Sequence, residues 1–396
     1  MRRMISSNRA PLVLMFVFSA AMGTMGPAIP VFQEVFGLDY SEAALNLTLF
    51  SGGALLGGAT VGFVRRAIPR QVIVILSLLG ITCGGVLVIL AVTPALTYVG
   101  AFIMGLLGVT SLTVGQAVLG EMYPDDRVVT LSRGHLLAGW GLLAGAAAVA
   151  LGRTTGFWQL IFVIPMAFAV LALVMGTTRV LPKRPLNDEM EDPNQEGVSA
   201  VTWVAAALTG LAVVMELGVT AWAASYLEDI LGFADVIAAG ATVVVLSGLV
   251  LGRIALTRWV GEFRLTSVML TVLGAVVGSS ILYLGGPVIP GPGGTVVALI
   301  GLVLLCLLVS TVFPLGLILT MESAGRADAQ EGASEMAVTA GGLAGITSPF
   351  AIASLADLLS IQIALIGVPV AAVVSALMVL WVRRRLGRQL SVPAST

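Results

Sequence analysis

Glu216 is the one carboxylate deep inside the apolar stretch at 200–225, and Trp222 and Tyr226 follow it on the same predicted helix. A charged side chain at the centre of a membrane-spanning helix costs roughly 2.5–3.5 kcal/mol on insertion scales, so one found there normally has a function. Away from water the ionised form of a carboxyl group is disfavoured. Glu216 is therefore suited to bind and release a proton; the other reading is a structural ion pair with Arg253. At 100° per residue Tyr226 returns toward the Glu216 face, while Trp222 lies well round the helix. Both aromatics suit either a stacking wall over a polar solute or the headgroup level of a bilayer.

Most other candidates for solute contact are uncharged. In the first apolar run Gly23, Thr24, Gly26, Pro27 and Pro30 interrupt the helical pattern, which is tolerated where backbone lines a cavity. Thr24 and Gln33 then offer hydrogen bonds to a solute, with Glu34 as a rim charge. Thr113 and Gln116 share a face of the fourth run, a second polar surface for solute contact. Asn46 and Thr48 suit hydrogen bonding between helices. Glu121 and Glu322 close the fourth and tenth runs in equivalent places, and are expected to gate the cytoplasmic side with Arg127, Arg133 and Arg326. Glu331 and Glu335 open the eleventh run, where acidic residues suit the helix dipole. His135 is the sole histidine, at the inner end of the fifth run, and Arg153 reads as a solvated rim charge. Cys83 and Cys306 are isolated, so no disulfide, metal site or other cofactor is expected.

These residues must be positioned by membrane-spanning helices. The 396-residue chain is 58% hydrophobic and 10% charged, with a mean hydropathy of +1.04, whereas a soluble domain carries about 25% charged residues. About 20 apolar residues cross a bilayer as a helix, and twelve such runs fit between residues 10 and 382 with short loops. With the N-terminus inside, every lysine and arginine except Arg153 falls on the cytoplasmic side, from Arg2, Arg3 and Arg9 to Arg383, Arg384, Arg385 and Arg388. That bias predicts a multi-pass protein of the cell membrane, both termini cytoplasmic. The first run is too long for a secretory signal and feeds another span.

The polar connection at 179–199 starts basic, turns acidic and holds Pro182, Pro185 and Pro193, a composition that reads as a cytoplasmic linker. It separates an N-terminal six-helix bundle at 1–178 from a C-terminal one at 200–383, with a tail at 384–396. The halves are alike. Phe36-Gly37-Leu38 matches Leu231-Gly232-Phe233 at an offset of 195, which also carries Gly53-x-x-x-Gly57 onto Gly248-x-x-x-Gly252. With slight drift, Gly80-x-x-x-Gly84 meets Gly274-x-x-x-Gly278 and Gly141-x-x-x-Gly145 meets Gly341-x-x-x-Gly345. Small residues four apart let helices approach closely in lipid. Duplicated bundles with a site between the repeats are the mark of alternating-access transporters.

Specific stretches now resemble the major facilitator superfamily, and the likeness covers essentially the whole chain. Gly105-Leu-Leu-Gly-Val with Gly120-Glu121-Met-Tyr-Pro124-Asp-Asp-Arg127 is similar to that family's fourth helix and following loop. Ser310-Thr-Val-Phe-Pro314 resembles its tenth helix, and Thr347-Ser-Pro349 through Asp357 the end of its eleventh. The resemblance implies an all-α integral membrane protein, with twelve transmembrane helices in two pseudo-symmetric six-helix bundles. Two departures matter. The loop Gly62-Phe-Val-Arg65-Arg66-Ala-Ile-Pro69-Arg70 lacks the family's Asp, which removes its usual cytoplasmic latch. The fifth helix, Gly139-Trp-Gly141-Leu-Leu-Ala-Gly145, lacks the Gly-Pro pair of many drug/proton antiporters. Glu216, Trp222, Tyr226 and Gly252-Arg253 resemble the sugar-type proton symporters of the superfamily.

The expected function is secondary active transport of a small polar organic solute, coupled to H+ through Glu216. A proton-driven exporter of hydrophobic small molecules is the other reading. The expected partners are the solute, H+ and the lipid bilayer, with no nucleic acid, and the protein is expected to be a monomer. No ATP-binding loop or paired intramembrane acid points to an enzyme.

Overall fold

A computed structural model describes residues 9–123, 127–179, 181, 199–259, 265–324 and 327–389. Most of the expected linker and the last residues of the tail therefore lie outside the described residues. The first half holds α1 (Ala10–Met25), α2 (Ile29–Phe36), α3 (Tyr40–Ala67), α4 (Arg70–Ile89), α5 (Pro94–Met122), α6 (Arg127–Thr155) and α7 (Leu160–Val174). The second holds α8 (Ala200–Thr220), α9 (Ala223–Asp229), α10 (Asp235–Trp259), α11 (Leu265–Gly285), α12 (Pro292–Ala324), α13 (Ala327–Leu358), α14 (Ile361–Ala364) and α15 (Gly367–Gln389). Among the described residues ten stretches are long and apolar enough to cross a bilayer, and α1 with α2, bent by 50°, makes an eleventh. The shorter apolar helix α7 takes the remaining expected place.

The two leading spans are both broken, and the sequence shows why. Gly26 and Pro27 interrupt the first, and Pro30 falls at the start of α2, where its missing N–H leaves no bond unmade. The run expected at 200–225 is two helices: α8 stops at Thr220 and α9 restarts at Ala223. A left-handed glycine follows each short helix. Gly37 caps α2 at φ 65°, donating to the Gln33 carbonyl, and Gly232 follows α9 at φ 68°. The left-handed conformation penalises any residue with a Cβ, which is why glycine stands at both of the matched positions.

Packing repeats between the halves. Contacts of α3 with α5, α1 with α6 and α4 with α5 are mirrored by α10 with α12, α8 with α13 and α11 with α12. The glycines explain part of this. A Cβ on Gly57 would collide with the Leu106 carbonyl of α5, and one on Gly252 with the Leu307 carbonyl of α12. Without a hydrophobic driving force between helices in lipid, such backbone approach is what holds them together. The correspondence is incomplete: Gly84 of α4 lies against Gly100 of α5, whereas Gly274 and Gly278 of α11 meet nothing within 4 Å.

The bundles meet along two seams, α6 against α10 and α13 against α3, with α2 touching α9 at one end. There the broken spans cross: a Cβ on Gly26 would lie 2.5 Å from Ala221 Cα. Those residues are themselves repeat equivalents at the offset of 195. The pseudo-twofold axis therefore passes close to this contact.

Candidate functional site

Glu216 on α8 faces Arg253 on α10, with 2.9 Å between Oε1 and Nη2, and their side chains are 17% and 24% exposed. Each offsets the desolvation of the other, which a lone buried charge could not achieve. Arg253 Nε is buried with no partner, so the guanidinium has capacity for a further acceptor.

The pair looks onto the seam between the bundles. Gly139 on α6 backs onto Val250 on α10, a Cβ there falling 3.2 Å from its side chain. One turn along α6, on that face, stands the exposed His135, within electrostatic reach of Arg253. Gln116 on α5 completes the group, its Nε2 3.4 Å from His135 Nε2. Polar groups from both bundles thus converge where the halves separate. Their sequence positions could not show this, because the grouping depends on the antiparallel register of α6 and α10.

Thr24 is fully buried, its hydroxyl donating to the Ala21 carbonyl at 2.8 Å. Thr113 donates to Val109 at 3.2 Å, so both hydroxyls are engaged by their own helices. Gln33 is half-buried in α2, beyond the bend. Trp222 and Tyr226 are both completely buried. The Tyr226 hydroxyl donates to the Tyr283 carbonyl, its ring 4.1 Å from that of Tyr283. Trp222 packs edge-on against Tyr40, 5.9 Å between centroids.

Of the expected gate charges, Glu121 pairs with Arg70 at 2.5 Å, a partner within the same half, in place of the expected Arg127, Arg133 or Arg326. Arg133 and Glu322 are exposed. Arg326 and the Arg127 side chain lie outside the described residues.

A set of polar bridges between the bundles lies at the end where α2 meets α9. Asp357, in the last turn of α13, accepts from the backbone N–H of Tyr40 at 2.8 Å and of Ser41 at 2.9 Å. These are first-turn donors of α3 that have no partner within the helix. The Tyr40 hydroxyl donates to Asp229 of α9. Arg153, in the last turn of α6, binds Glu34 of α2, Glu228 of α9 at 3.6 Å and Asp235 of α10 at 3.5 Å. Expected as a solvated rim charge, Arg153 has a side chain only 8% exposed. Three carboxylates brought in by three helices cover it.

Comparisons with known proteins agree with this architecture. Residues 12–349 match the family profile described as Major Facilitator Superfamily. Among solved structures, the nucleoside transporter NupG in a variant form superposes with a TM-score of 0.73 at 14% identity, covering 95% of this chain and 100% of that one. A bacterial homolog of the human lysosomal transporter Spinster, inward-facing and unoccupied, gives 0.71 at 14% identity, covering 98% of each chain. No curated protein matches the sequence significantly.

Proposed function

The chain belongs to the major facilitator superfamily, and from that premise we propose a secondary active transporter of a small polar organic solute, driven by protons through Glu216. The observation that carries this reading is the Glu216–Arg253 pair, set beside His135 and Gln116 at the seam between the bundles. A proton taken up by Glu216 cancels its charge and leaves Arg253 seeking another acceptor. Proton binding and rearrangement of the seam are then one event.

The positions of the basic residues support the orientation. Among the described residues Arg153 is the one basic residue at the bridged end, while Arg70, Arg133, Arg179 and Arg383 to Arg385 belong to helix ends or loops expected on the other side. The positive-inside tendency puts the bridged end outside and both termini in the cytoplasm of the cell membrane. In this orientation the structure is closed outward, and a solute held at the seam leaves toward the cytoplasm. We place the N-terminal unit at 1–178, the linker at 179–199 and the C-terminal unit at 200–383, acting as a monomer.

The test is a thermal-shift screen of purified protein against sugars, nucleosides, amino acids and organic acids at two pH values. Solutes that stabilise the protein are then assayed for uptake into proteoliposomes under an inward proton gradient. Uptake that collapses with a protonophore supports the reading. Uptake indifferent to it contradicts proton coupling.

A further inference from the structure

Arg153 and Asp357 both lie in the last turns of their helices, α6 and α13, whose glycine pairs mark them as repeat equivalents. Each reaches across the seam to the beginning of a helix in the opposite bundle. Asp357 caps the start of α3 through two backbone donors, and Arg153 binds Asp235, the first residue of α10. The helices they reach, α3 and α10, are also repeat equivalents. The chemistry is inverted between the copies: a carboxylate on bare helix N–H groups in one, a guanidinium on an N-terminal carboxylate in the other.

We propose that Arg153 and Asp357 are the two halves of one gate, and that releasing both opens the bridged end and exposes the Glu216–Arg253 site there. The proposal rests on the alternating-access reading above. Three observations support it. The first turn of α3 is otherwise self-sufficient, because Asp39 and Glu42 form a capping box; only the Tyr40 and Ser41 donors need the other bundle, and water can replace Asp357 when the end opens. Arg153 holds Glu34 from its own half and Glu228 and Asp235 from the other, so separation leaves it one carboxylate and keeps its charge matched. Beneath the bridges, Trp222 Nε1 and Ser225 Oγ are buried without partners, groups that gain hydrogen bonds only when water enters. The closed end is thus held by a few bridges against groups that favour opening, as a switch requires.

The experiment uses full-length protein in which Cys83 and Cys306 are replaced by serine, with one added thiol per variant. Ala224→Cys, on α9, is 1% exposed in the closed state; His135→Cys lies on the exposed side of α6 at the seam. A membrane-impermeant maleimide is applied in proteoliposomes of known orientation. With Arg153→Gln and Asp357→Asn together, labelling at the Ala224 position rises about tenfold or more, as expected when a minor open state of a few per cent becomes dominant. Labelling at the His135 position falls in step. Arg153→Lys with Asp357→Glu retains the bridging charges and labels close to the parent. Unchanged labelling at the Ala224 position in a double variant that still purifies as a monodisperse protein overturns the gate and leaves the transporter reading intact. A rise at the Ala224 position with no fall at the His135 position upholds the gate and counts against alternating access.

Discussion

Arg253 reaches Glu216 across the α8–α10 contact with 2.9 Å between Nη2 and Oε1, and so joins the only carboxylate deep in the seventh span to the seam between the bundles. Removing either partner strands the other in a poorly hydrated place, which for fully buried pairs costs about 3–5 kcal/mol. These side chains are partly exposed, so a loss of about 1–3 kcal/mol is expected for Glu216→Gln and for Arg253→Gln. Combining the two substitutions should restore part of that loss. Thermal unfolding in detergent measures all three; strictly additive losses would mean that the two side chains do not act as a pair.

Glycine packing gives a sharper contrast. Gly57→Leu and Gly252→Leu drive side chains into helix carbonyls, and little folded protein should be recovered from membranes. Gly274→Ala and Gly278→Ala fill open space and should leave yield unchanged and stability within about 0.5 kcal/mol of the parent. Fluorescence-detected size exclusion of tagged variants separates these outcomes.

The two left-handed glycines should behave alike because both hold the backbone at nearly the same positive φ. Gly37→Ala and Gly232→Ala each introduce a Cβ at φ near 65°, with an expected cost of about 1–2 kcal/mol. Neither Cβ meets a neighbour within 4 Å, so the loss reports backbone strain alone. Thermal denaturation of the two variants is the check.

Tyr226→Phe removes the hydroxyl that donates to the Tyr283 carbonyl while keeping the ring against Tyr283. A loss of about 1 kcal/mol is expected. If Tyr226 contacted solute directly, the variant would change solute affinity more than stability, and comparing the two measurements decides its role.

Much of the fold was legible because its cause is local. Apolar runs of bilayer length, the glycine after each broken span and small residues four apart are all properties of neighbouring positions, and the halves could be compared by offset alone. The site was only partly legible. Glu216 stood out against its apolar surroundings, and Arg253 was a plausible partner because both lie in adjacent spans. His135 and Gln116 join that pair only through the packing of α5, α6 and α10. Thr24 looked available, yet its hydroxyl is buried and donates to the Ala21 carbonyl of its own helix, and nothing in residue type reveals that. Arg153 misled for the opposite reason: an isolated arginine in a loop-proximal position reads as solvated until three separate helices bring carboxylates to it.

The most direct test of the central claim is proton movement in proteoliposomes carrying a pH-sensitive dye, after addition of a solute identified by thermal shift. The account predicts that the wild-type protein acidifies the lumen as solute enters, and that Glu216→Gln abolishes the acidification while still exchanging solute across the membrane. Solute entry by the wild-type protein without proton movement, or proton movement unchanged in Glu216→Gln, would contradict it.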